Sequence, residues 1–179
     1  MQKITVSLGL FIVLCGLAAA QDTPEPVLVK GDVERFIQTY PVLVEKLTEM
    51  GMKYDAHEGD YSLPEAVQVS TEFQALLKKH GWEEAFFTKM PVILLGYAAI
   101  EYKKEFQEID PQFAQAIKEI ESNPGMSEAM KKQMIEQMKA AQGMMKSQEG
   151  GLQQSIHPKD LELIGPKVKE LKKILEEED

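Results

Sequence analysis

The apolar positions of this chain recur at helical spacing almost throughout, and no stretch alternates with the period of two that a strand requires. Val33, Phe36, Ile37 and Tyr40 fall on one helix face behind Asp32, which is placed to cap it. Pro41 follows. A proline inside a helix removes a hydrogen bond and clashes with the preceding turn, so the pattern predicts a short helix, a kink, and a second piece with Val44, Leu47 and Met50 that ends at Gly51. Residues 52–63 read as a loop, and Ser62 to Glu65 has capping-box spacing. One helix or two short ones then run to Lys78-Lys79-His80-Gly81, a basic helix end closed by glycine, with Phe73, Leu76 and Leu77 inward.

Trp82 opens the next predicted helix, which leads into Pro91 to Ile100, a run apolar on nearly every side. Ten such residues are too short for a bilayer, so the run reads as a central core helix, kinked or split at Pro91. Asp110-Pro111 starts a further helix with Phe113, Ile117 and Ile120, and Asn123-Pro124-Gly125 ends it. Ser127 caps a helix bearing Met130, Met134 and Met138. Ser147 to Ser155, with Gly150-Gly151, reads as a flexible joint. His157-Pro158 begins a short helix through Leu161 and Ile164. Gly165-Pro166 breaks it, and a last helix carries Val168, Leu171, Ile174 and Leu175. The expected fold is all-α, a small irregular bundle of about six to eight helices, several kinked or segmented at proline.

The first twenty residues follow a different logic. Lys3, an uncharged apolar stretch from Ile4 to Leu17 and Ala18-Ala19-Ala20 form a secretory signal peptide, with cleavage expected between Ala20 and Gln21. An uncleaved anchor and a lipoprotein modified at Cys15 are the rival readings, the second weakened by the bulky Leu14 before the cysteine. The expected organisation is a signal at 1–20, an extended leader at 21–31 and one helical domain at 32–179 with an acidic end. Export places the protein in the periplasm, or outside the cell. Cleavage removes the one cysteine, so thiol catalysis, thiolate ligation and disulfides all drop out.

Charge narrows the partners. The chain has 20 Lys+Arg against 29 Asp+Glu, a formal −9, and lysines such as Lys103, Lys104, Lys131 and Lys132 are interleaved with glutamates. Phosphate-binding surfaces need concentrated positive charge, so nucleic acid is not an expected partner. No membrane span is expected after signal cleavage. His57 lies in an acidic loop with Asp55, Glu58 and Asp60, in a spacing that matches no calcium loop; a solvated loop is the simpler account. No Gly-x-Ser-x-Gly and no His-Glu-x-x-His occurs, and the expectation is a non-enzyme without cofactor.

Methionine is the concentrated anomaly: six of the nine that follow the signal lie between Met126 and Met145. Met126, Met130, Met134 and Met138 are spaced by four, which makes a stripe that drifts slowly around a helix. Three readings stand. The stripe packs into the core; or it forms an adaptable binding face, with Met130, Met134, Met138 and Met145 toward a protein or lipid-like apolar partner; or the thioethers of Met126, Met130, Met134 and Met138 take Cu(I) or Ag(I). An exported binding or helper protein is the favoured function, the soft-metal binder the alternative, an enzyme the third. Inward-facing methionines would support neither binding idea.

Overall fold

The structure, a computed structural model, describes residues 24–51, 65–82 and 85–176. The expected signal peptide, the His57 loop, Ser62 of the expected capping box and the last three acidic residues lie outside them. The described residues are all-α, with no strand among them. The helices are α1 (Asp32–Glu49), α2 (Glu65–Gln68), α3 (Thr71–Lys79), α4 (Phe86–Ser122), α5 (Glu128–Gln154), α6 (Pro158–Ile164) and α7 (Val168–Glu176), with a 3₁₀ turn at Gly165–Lys167 before the last. Five of these exceed eight residues, fewer long helices than the prolines suggested.

The difference has one cause: the prolines do not split their helices. Pro41 lies inside α1, and Pro91 and Pro111 both lie inside the 37-residue α4. Asp110-Pro111 is therefore mid-helix, not a start. Each proline orphans the carbonyl four residues back, those of Ile37, Phe87 and Gln107, and none of these three residues is buried. Packing along the helix outweighs the lost bond and carries the helix through. The expected joint at Gly150-Gly151 is likewise helical, within α5. Among the described glycines only Gly31, Gly51 and Gly81 hold a positive φ, and these end or precede helices. Trp82 does not open α4 either. It is a buried anchor ahead of Ala85, the N-cap.

The core forms as the apolar pattern predicted. Phe36, Leu43 and Leu47 of α1, Phe73 and Leu77 of α3, Phe86, Ile93 and Leu94 of α4, and Leu171 of α7 bury together. Phe86 sits edge-on to Trp82 at 5.3 Å between ring centres and to Phe73 at 6.5 Å. Gly96 lets α6 approach α4: a Cβ there would collide with the buried Ile164. A second, smaller cluster joins Ala99, Leu152 and Ile156 where α5 leaves α4 for α6.

Buried charge ties the residues ahead of α1 to this core. Asp32 is the first residue of α1, with Gly31 at the N-cap, so its carboxylate does not cap the helix as expected. It accepts from the Val29 N–H at 2.8 Å and from Lys89 Nζ of α4 at 2.6 Å, and Arg35 Nη1 lies 3.7 Å away. Arg35 in turn donates to the Gly81 carbonyl at 3.0 Å and stacks 5.2 Å over Trp82, whose ring N–H donates to Thr39 Oγ1 at 3.1 Å. The extended leader is pinned too. Asp160, buried in the first turn of α6, accepts from the N–H groups of Val27 and Leu28 at 3.0 and 2.9 Å.

Two stability predictions follow from these contacts. Asp32→Ala strands Lys89 in a largely buried site and should cost about 3 kcal/mol, read as a lower urea midpoint with unchanged helical circular dichroism of the folded state. Gly150→Ala, at a helical position with open space around its would-be Cβ, should instead stabilise by about 0.5–1 kcal/mol. A loss on Gly150→Ala would restore the flexible joint.

Candidate functional site

Past Phe106, α4 runs away from the core, turns at Asn123 to Ser127, and returns as α5. The return is shaped by local chemistry. Ser127 Oγ accepts from the Met130 N–H at 3.3 Å, and the Asn123 side chain accepts from the Gly125 N–H at 2.9 Å. The two helices make an antiparallel arm, and no residue from 107 to 151 is buried. At 1.5 Å per residue the 27 residues of α5 span about 40 Å.

The arm holds together by a heptad seam. On α4 a seam of reduced exposure runs through Ala99, Tyr102, Phe106, Ile109, Phe113, Ala116 and Ile120, in steps of three and four, with Asp110 and Ile117 beside it. On α5 they are Lys131, Ile135, Met138, Gln142, Met145, Glu149 and Leu152, in the same steps. Polar groups fix the register. Tyr102 donates to the Met145 carbonyl at 3.4 Å and to Gln148 Oε1 at 2.9 Å, and the Gln142 amide donates to Asp110. Burial and the Glu105 and Glu149 charges push the Tyr102 phenol above its ordinary range, which keeps it a donor. At the base, Tyr97 donates to Glu176 at 2.7 Å; burial first, then this carboxylate, holds its phenol well above the usual range.

The methionine stripe is divided by this geometry. Steps of four drift about 40° each on a helix of 3.6 residues per turn, so a stripe spaced by four cannot follow a heptad seam. Met138 and Met145 lie in the seam against α4. Met134 and Met130 wind out of it to 37% and 54% exposure, and Met126 sits half-buried at the turn. Met144, not among the residues singled out from the sequence, is 68% exposed. The four positions of the soft-metal alternative therefore do not share one face toward solvent.

Other candidates resolve into structure. His80 ends α3, and the His157 ring caps α6 by accepting from the Lys159 N–H at 3.1 Å. Among the described residues no group of three or more His, Cys, Asp or Glu could hold a metal ion. The void between Tyr40, Leu43, Phe73 and Met90 measures about 10 Å³, room for at most a water. An open surface cleft of about 740 Å³ lies beside the end of α3, lined by Arg35, Gln74, Lys78, Trp82 and Ala85 among others. Among the described residues no helix is long and apolar enough to cross a membrane. Comparison with known protein families, with curated proteins and with solved structures finds no match.

An arm without buried residues should open more readily than the base. Native-state hydrogen exchange should release the amides of residues 109–149 before those of Met90 to Ala99, by an order of magnitude or more in rate. Equal protection in both regions would mean that the arm is covered in solution.

Proposed function

We propose that this is an exported, non-catalytic binding or helper protein, periplasmic or secreted, that presents its two-helix arm to an apolar partner. The observation that carries the reading is the exposure of Met130, Met134 and Met144 on a surface-mounted helix. Large apolar side chains grouped on one element of an acidic chain mark a contact surface more often than chance exposure does. Methionine suits that use, because its unbranched, polarisable side chain adapts to partners of different shape. The core beneath contributes a rigid mount: α4 is anchored among buried aromatics for its first turns and carries the arm outward on the same helix.

Both a protein and a lipid-like molecule fit an apolar surface. Among the described residues the void in the core is too small to enclose a ligand, which favours a partner that lies along the arm. Soft-metal binding has less behind it, since Met138 faces α4 while Met130 and Met134 face outward.

The test uses an environment-sensitive apolar dye with dilute folded protein. Dye fluorescence should rise on addition of the protein, and Met134→Glu combined with Met144→Glu should reduce it severalfold with no loss of helical signal. A protein that leaves the dye dark at every concentration, or a double variant that binds it as well as the unchanged chain, would sink the reading.

A further inference from the structure

α5 carries two heptad-spaced stripes: one packs along α4, and the other meets it through Gln148, which accepts from Tyr102 at 2.9 Å. The second runs Met130, Met134, Gln137, Ala141, Met144, Gln148, again in steps of four and three, and every residue of it is exposed. Its outer neighbours Gln133, Ala140 and Ser147 are exposed and uncharged as well. The charges of the helix collect on the other flank, at Lys132, Glu136, Lys139 and Lys146. A solvent-facing helix surface ordinarily carries charge. A second seam at coiled-coil spacing with none is the pattern of a helix that has a second helical neighbour.

The stripe is self-complementary. Met130 and Met144 lie seven residues on either side of Gln137, and Met134 and Ala141 lie three before it and four after it. Two such helices laid antiparallel with Gln137 on a two-fold axis place Met130 against Met144, the long Met134 against the small Ala141, and Gln137 against its own copy. This is the isologous arrangement of a symmetric dimer, in which one patch serves both sides. Lys131 and Glu149, the charges nearest to it, stand in the α4 seam, and Lys131 is paired with Glu128 at 2.9 Å, so the stripe itself sets no charge against a copy of itself. A membrane surface is a poorer match. Helices that lie on lipid set lysines along the edges of the apolar face, and Lys132, Lys139 and Lys146 stand on the far side of α5 from it.

We infer that the occupant of this surface is a second copy of the chain, and that two arms pair through α5, antiparallel about Gln137, into a four-helix bundle. The inference rests on the reading of the arm as a docking surface and names its partner. It also accounts for an arm that has no buried residue of its own: pairing covers the outer stripe and completes a core that two helices leave half-open.

The one cysteine, Cys15, lies in the expected signal, so a single thiol can be placed at will in the processed chain, and a Cys15→Ser background keeps it single where the signal is retained. Under mild oxidation Gln137→Cys should form a covalent dimer in high yield. Gln148→Cys, eleven residues from the axis and so about 33 Å from its counterpart at 1.5 Å per residue, should form little. Sedimentation of the unchanged protein should show a dimer, and Met134→Glu with Ala141→Glu a monomer of unchanged helicity. Apolar dye bound per chain should fall as protein rises from ~0.1 to ~100 µM, because pairing covers the site by mass action. A monomer throughout with constant dye per chain overturns self-pairing and leaves the docking surface standing. A monomer that binds no dye overturns both. A dimer in which positions 137 and 148 cross-link equally overturns this pairing.

Discussion

The structure depends on α4 remaining one helix across two environments. From Met90 to Ala99 its sides are apolar nearly all round, and neighbours are needed on more than one side. α1, α6 and α7 pack against it, with Gly96 giving α6 its close approach, and its remaining positions are half-buried. The same backbone then continues for more than twenty residues into solvent with α5 as its companion. A break at Pro91 would uncouple the core from its aromatic anchor, and a break at Pro111 would bend the arm at mid-length. Neither occurs, because packing along the helix outweighs the bonds that the prolines remove.

Much of the fold is legible from local pattern, because it rests on local physics. The helical period, the glycine stop at Gly81 and the cap at Ser127 each depend on a few neighbouring residues, and each appears where the pattern places it; of the Pro91–Ile100 run, Ile93, Leu94, Gly96 and Ala99 are buried and the rest half-buried. The breaks at Pro41, Pro91, Pro111 and Gly150-Gly151 are where the pattern misleads. Proline and glycine weigh against helix by about 3 and about 1 kcal/mol in isolation, and contacts made far along the chain outweigh them here. The long-range polar anchors were out of reach for the same reason. Nothing near Asp160 signals that it receives the N–H groups of Val27 and Leu28, and nothing near Asp32 signals Lys89.

The methionine segment shows how a correct observation can be read with the wrong period. The residues spaced by four are real, yet that spacing describes no single face of the arm. Steps of three and four separate them into an inner set, Met138 and Met145, and an outer set, Met130, Met134 and Met144. Gln137 and Ala141 join the outer set only when that period is applied, which is why neither stood out by residue type. The distinction decides what the methionines can do: the inner ones fill the α4 contact, and the outer ones stand exposed.

A charge-free outer stripe also constrains how such an arm stays soluble alone. Its polar members are glutamines, which hydrogen-bond to water as readily as to a copy of themselves and add no repulsion in either state. Ala140 and Ala141 keep the middle of the stripe thin, so a second helix can come close there, while the methionines on either side supply adaptable bulk. Replacing Gln137 by a lysine or glutamate would put like charges face to face on a two-fold axis, at a cost that one chain alone never bears. The absence of charge at that position is thus without consequence for a lone arm and matters as soon as two arms meet. That asymmetry is the physical reason to attribute the stripe to assembly and not to the stability of the hairpin.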